Sequence, residues 1–75
     1  MAEPRVVLVT GGNRGIGRTI AERFLAQGDK VAVTSRNGDA PEGAFAVAAD
    51  VTDLASLEAA YEAIEKELGA VDVVV

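Results

Sequence analysis

The sequence has no cysteine and no histidine. Disulfides, thiolate or imidazole metal sites and nucleophiles of those two types are therefore excluded. A chain of 75 residues without such staples is one domain at most. It must hold its core by packing alone, and a domain of this size buries only about 60% of its unfolded surface. Long apolar runs are also absent. No stretch approaches the ~20 residues of a membrane span, and "MAEPR" is too short and polar for a secretory leader. These absences fit a cytoplasmic protein with no membrane partner.

Positive charge is scarce in the second half. Residues 37–75 carry one basic and nine acidic side chains and residues 1–36 carry six basic and three acidic, so the net charge of −5 divides into −8 and +3. An acidic chain of this kind argues against nucleic acid as a partner. The basic first half suits a small anionic ligand, although ordinary surface charge accounts for the asymmetry equally well.

What is present is an alternation of short apolar runs and helical patterns. "RVVLVT" (5–10) reads as a strand buried on both faces. From Gly15 onward Ile16, Ile20 and Phe24 recur every four residues beside Ala21 and Leu25, which is one face of a helix. Gly28 sits where a left-handed residue closes such a helix. "KVAVTS" (30–35) is a second strand, "RNGDAPEG" (36–43) a loop, and "AFAVAA" (44–49) a weaker third strand. Asp53 has the character of an N-cap. Leu54, Leu57, Tyr61, Ile64 and Leu68 then follow at helical spacing until Gly69, and "VDVVV" (71–75) opens a fourth strand. The order predicts an α/β fold with a doubly wound parallel sheet of four strands and two helices. The 36–43 loop is short for a parallel crossover, so an antiparallel hairpin between strands two and three stays open on spacing alone.

The densest signal is "TGGNRGIG", Thr10 to Gly17. A strand entering a glycine turn and then a helix makes an anion site, because the helix start offers unpaired N–H groups and about half a positive charge. Gly11 would make the turn off the strand, Gly15 would admit a pyrophosphate without a Cβ in its way, and Gly17 would let the helix lie close on the sheet. A turn that merely needs glycine is the plain alternative. The dinucleotide fingerprint G-x-G-x-x-G does not occur. The nucleotidase phosphate loop G-x-x-x-x-G-K-[ST] nearly does, from Gly12 to Gly17, with Arg18 in place of its lysine and then Thr19.

The spacing T-G-x-x-x-G-I-G resembles the cofactor loop of the short-chain dehydrogenase/reductase family. "DVTD" (50–53) is similar to that family's adenine-binding segment, and "VDVVV" to the strand before its N-A-G motif. The resemblance covers essentially the whole chain. Within the family it is strongest to the N-terminal part of bacterial 3-oxoacyl-[acyl-carrier-protein] reductases. It implies a Rossmann fold, of which residues 1–75 are the N-terminal cofactor-binding portion, incomplete at its C-terminus. It places Gly11, Asn13, Arg14, Gly15, Ile16 and Gly17 in the cofactor loop. It sets the Asp50 side chain on the adenine amino group and the Val51 backbone on the ring. It also implies a carrier-bound or small-molecule acyl substrate and a homo-oligomer.

NAD-preferring dinucleotide folds carry a carboxylate at the end of strand two, on the ribose 2′-OH. Here that region reads Thr34, Ser35, Arg36. Arg36 can pair with a 2′-phosphate, Arg14 can reach the same group and Asn13 can donate to it, so the expected cofactor is NADP. Each arginine alone reads equally well as a solvated surface charge.

The family's reaction needs a Ser, an Asn and a Tyr-x-x-x-Lys pair, implied here by resemblance only. The one tyrosine, Tyr61, has Glu65 four residues on and lies on the apolar stripe of the second helix. A neighbouring carboxylate raises a phenol's pKa. Tyr61 therefore reads as a core residue with a wet hydroxyl, and no catalytic residue is assigned. Three readings remain: part of an NADPH-dependent carbonyl reductase, inactive by itself; a non-catalytic nucleotide-binding or assembly fragment; and a phosphate-loop nucleotidase. A helix cap is the plain alternative for Asp50.

Overall fold

The computed structural model describes residues 4–11, 15–50 and 52–75. The elements run β1 (Val6–Thr10), α1 (Gly15–Ala26), β2 (Lys30–Ser35), β3 (Phe45–Ala48), α2 (Leu54–Leu68) and β4 (Val73–Val74). The four strands form one sheet in the order β3-β2-β1-β4, and each neighbouring pair is parallel.

Alternation along the strands makes the sheet two-sided. Val7, Val9, Val31 and Val33 turn to one face and pack with Ala21 of α1, joined by half-buried Ile20, Phe24 and Leu25. Val6, Leu8 and Ala32 turn to the other face, where Ile64 of α2 is fully buried with Tyr61 and Leu68 beside it. The sheet is therefore wound on both faces. Each valine, leucine or isoleucine so covered contributes about 1.5–3 kcal/mol of transfer free energy. Tyr61 takes the core position that its spacing predicts.

Both helices are closed by local chemistry. At the end of α1 the Gly28 N–H donates to the Leu25 carbonyl (3.0 Å) and the Asp29 N–H to the Phe24 carbonyl (3.1 Å). This paired closure needs a left-handed residue, and Gly28 supplies it at φ +90°. At the start of α2, Asp53 is extended (φ −115°, ψ 111°) and its carboxylate accepts from the Ala55 N–H at 3.0 Å. That is the predicted N-cap. Gly69 ends the helix, its N–H donating to the Glu65 carbonyl.

The hairpin alternative for strands two and three is corrected: β2 and β3 are parallel, with Ala32 opposite Phe45 and Ser35 opposite Ala48. Residues 36–44 make the return without a helix. Turns at Gly38 (φ +78°) and Gly43 (φ +93°) fold the link back, and the Ser35 hydroxyl donates to the Asp39 carbonyl at 2.9 Å. Ala40 and Ala44 then pack on the same core as α1. The link thus covers the face that a crossover helix covers in larger α/β units.

Two further expectations change. Ile16 and Leu54, read as members of the buried helical stripes, are 81% and 71% exposed. Both stand in first turns, just past the carboxyl ends of the strands, where no sheet lies beneath them. The third strand is also shorter than predicted, Phe45–Ala48.

Candidate functional site

Because all four strands are parallel, their carboxyl ends share one edge of the sheet. Gly11 follows β1, Arg36 follows β2, and Asp50 stands two residues beyond β3. Backbone bonds tie these ends together. The Gly11 N–H donates to the Thr34 carbonyl at 2.8 Å, and the Ala49 N–H to the Ser35 carbonyl at 2.9 Å. The chain winds outward from β1 through β2 to β3 and then returns to β4 on the opposite side of β1. In open parallel sheets, ligands bind in the crevice at the carboxyl ends beside such a reversal.

Gly11 (φ +66°) and Gly15 (φ +64°) both hold left-handed backbone, and a Cβ built on either would meet nothing within 4 Å. The turn off β1 therefore needs glycine for its conformation and leaves open space above it. α1 starts at Gly15 with no acidic residue in its first turn, so nothing there offsets the positive end of the helix. Gly17 is half-buried at the same helix start and Ile16 is exposed. Asn13, Arg14 and Val51 lie outside the described residues.

Arg36, Ala48, Ala49, Asp50 and Ser56 line a hollow of about 430 Å³ at this edge. Within it, Asp50 is held by its neighbours. Its Oδ1 accepts from the Thr52 hydroxyl at 2.6 Å and from the Thr52 N–H at 2.9 Å. Its own N–H donates to the Ser56 hydroxyl oxygen at 2.9 Å, and its carbonyl accepts from the Asp53 N–H at 3.0 Å. The Thr52 hydroxyl and N–H hold the Asp50 carboxyl below its ordinary range, and the charge of Arg36 adds to the lowering. Asp50 therefore stays ionised. It does not cap α2, a role taken by Asp53. Thr52 and Ser56 were not singled out in the sequence. The available signal was a hydroxyl at the third helical position after an N-cap, from which a side chain can reach back over the turn.

The sequence profile of the family described as short chain dehydrogenase matches residues 5–75. The chain belongs to that family. Membership in the short-chain dehydrogenases removes the nucleotidase reading. In agreement, Arg18, at the lysine position of that loop, lies 3.8 Å from Glu22 along the helix. The chain is 55% identical over 71 residues to the 3-oxoacyl-[acyl-carrier-protein] reductase MabA of Mycobacterium tuberculosis, covering 95% of this chain and 29% of the relative. It thus spans under a third of that relative's length. Among solved structures, it superposes on ligand-free Thermoplasma acidophilum aldohexose dehydrogenase with a TM-score of 0.87 at 38% identity, covering 95% of this chain and 28% of that one. It matches a 3-ketoacyl-(acyl-carrier-protein) reductase from Brucella melitensis, complexed with NADH, with a TM-score of 0.86 at 34% identity, covering 96% and 33%. These superpositions agree with the parallel sheet and two helices as the N-terminal part of a Rossmann fold.

Proposed function

We propose that residues 1–75 are the NADPH-binding portion of a longer carbonyl reductase that transfers hydride to the 3-keto group of a carrier-bound acyl substrate. One observation carries this reading. The open turn at Gly11 and Gly15, the guanidinium of Arg36 and the carboxylate of Asp50 stand along one edge of the sheet, at the carboxyl ends of three adjacent parallel strands.

The residues fit a dinucleotide. The start of α1 with Gly11, Gly15, Ile16 and Gly17 suits a pyrophosphate. Asp50 suits an exocyclic amino group, because an ionised carboxylate only accepts hydrogen bonds. Arg36 suits a 2′-phosphate, since its planar fork pairs with phosphate and no carboxylate ends β2 to repel one. Asn13, Arg14 and the Val51 backbone are proposed to complete the contacts. The cofactor supplies the hydride. The chain's own residues bind it, orient it and set which form is preferred. The Brucella relative was captured with NADH, so the preference for NADPH rests here on the basic residues alone.

No proton donor is assigned among these residues, since Tyr61 packs against the core under α2. Activity therefore belongs to the longer protein, which is proposed to be cytoplasmic and homo-oligomeric. Titration of the full-length protein with NADPH and NADH tests the reading, followed by turnover of a 3-ketoacyl thioester. Tight NADPH binding with turnover supports it. Binding without turnover favours a non-catalytic nucleotide-binding or assembly module, and no binding of either cofactor overturns it.

A further inference from the structure

We propose that Ser56 is a positioning residue for adenine-nucleotide recognition, whose hydroxyl braces the Asp50 turn so that one carboxylate oxygen is presented to the hollow. The inference rests on the nucleotide-binding reading above and adds a residue to it.

Asp50 is exposed, on a turn between a four-residue strand and a helix. An exposed aspartate in such a place ordinarily samples several rotamers, and ordering it for a ligand costs entropy. Here that freedom is removed before any ligand arrives. The Asp53 N–H closes the turn onto the Asp50 carbonyl, Thr52 grips Oδ1 with two donors, and the Ser56 hydroxyl oxygen takes the Asp50 N–H from across the turn. Among the described residues, only Oδ2 is left uncommitted. Ser56 sits in the first turn of α2, which packs on the sheet through Ile64, so the brace ties Asp50 to an element anchored on the core. Ser56 also lines the hollow with Asp50 and Arg36. A side chain at this point therefore acts on a bound adenine through Asp50 and does not need to touch it.

The test uses the full-length protein and two probes: 2′,5′-ADP, which carries the adenine, and reduced nicotinamide mononucleotide, which does not. Removing one hydrogen bond to a partly solvated group is expected to weaken 2′,5′-ADP binding about five- to tenfold in Ser56→Ala. Binding of the mononucleotide is expected to stay within about twofold, and Ser56→Thr to restore the wild-type value. Ser56→Cys keeps the volume with a poor acceptor and is expected to behave as the alanine variant, which covers the case in which Ser56→Ala fails to fold. Unchanged 2′,5′-ADP affinity in both the alanine and cysteine variants overturns the inference, as does an equal loss for both probes. Failure of the wild-type protein to bind 2′,5′-ADP overturns the nucleotide-binding reading itself, and this inference with it.

Discussion

Arg5 holds Asp29 at two points: its backbone N–H donates to Oδ1 and its guanidinium to Oδ2, each at 3.2 Å. The same arginine lies over the Phe24 ring, 5.8 Å from its centre, and its carbonyl accepts from the Lys30 N–H at 2.8 Å. Asp29 is the residue that completes the closure of α1, so this pair joins the end of the helix to the entry of both β1 and β2.

The Arg5 side-chain and backbone donors hold the Asp29 carboxyl below its ordinary range. The sign of the linkage follows. A carboxyl depressed in the folded state adds stability above its unfolded pKa, and that contribution is lost as pH falls through the folded value. Asp50, also depressed, acts in the same direction. Asp29→Asn is expected to lower the melting temperature at pH 7. The gap to wild type should close as pH falls below about 4, where unfolded aspartates take up protons. Thermal melts at a series of pH values check this, and a gap that stays constant with pH would exclude the carboxylate as its source.

Gly15 and Gly28 share the same backbone hand at opposite ends of α1, and a Cβ at either meets nothing within 4 Å. Gly15→Ala and Gly28→Ala are each expected to destabilise by about 1–2 kcal/mol, the cost of left-handed backbone in an L-residue. Only Gly15→Ala should also weaken cofactor binding, because its methyl enters the space above the β1 turn. Denaturant titration beside a NADPH titration separates the two effects. Equal affinity in the two variants would remove Gly15 from the binding surface.

Arg36→Asp replaces the guanidinium at the end of β2 with the carboxylate that suits a free ribose hydroxyl. Charged hydrogen bonds of this type contribute about 1.5–3 kcal/mol. The ratio of kcat/KM for NADPH over NADH in the full-length protein is therefore expected to fall at least about tenfold. A ratio that does not move places Arg36 away from the 2′-phosphate.

Ile64 is fully buried, whereas Leu54 on the same helix is 71% exposed. Ile64→Ala is expected to cost about 2–5 kcal/mol, and Leu54→Ser to stay within about 0.5 kcal/mol. Chemical denaturation of the two variants checks the contrast. A large loss in Leu54→Ser would mean that α2 seats its first turn on something beyond these residues.

The contrast between those two leucine-stripe positions also shows what a sequence conveys. Gly28, Asp53 and Ile64 were legible because each obeys a local rule: a left-handed closure, a cap, a helical repeat. Periodicity carries no information on where a helix overruns its sheet, so it places Ile16 and Leu54 in the core although both are exposed. The direction of β3 was equally hidden, since residues 36–44 suit either sense. The parallel pairing of β2 with β3 goes with the packing of Ala40 and Ala44 on the same core as α1, a long-range contact that no local pattern announces. At the carboxyl edge of the sheet, Gly11 and Arg36 are legible from spacing and charge, whereas Asp50 is expected there only through the resemblance of "DVTD" to the family's segment. The Ser56 brace was missed because it runs backward over six residues from helix to turn.

The position of β1 between β2 and β4 imposes an order on assembly. One edge of β1 is satisfied early, by residues 30–34. Its other edge waits for residues 72–75, whose contacts include the Thr10 hydroxyl donating to the Val75 carbonyl across 65 positions. From residue 34, which completes the β2 partner, to residue 75 is 41 residues, roughly 2–8 s at a ribosomal pace of about 5–20 residues per second. For that time the nascent chain carries an open strand edge of valine and leucine beside a folded neighbour, the kind of surface that pairs with another chain. A synonymous change that slows translation between the codons for α2 and β4 would lengthen this exposure without altering a single residue of the finished fold.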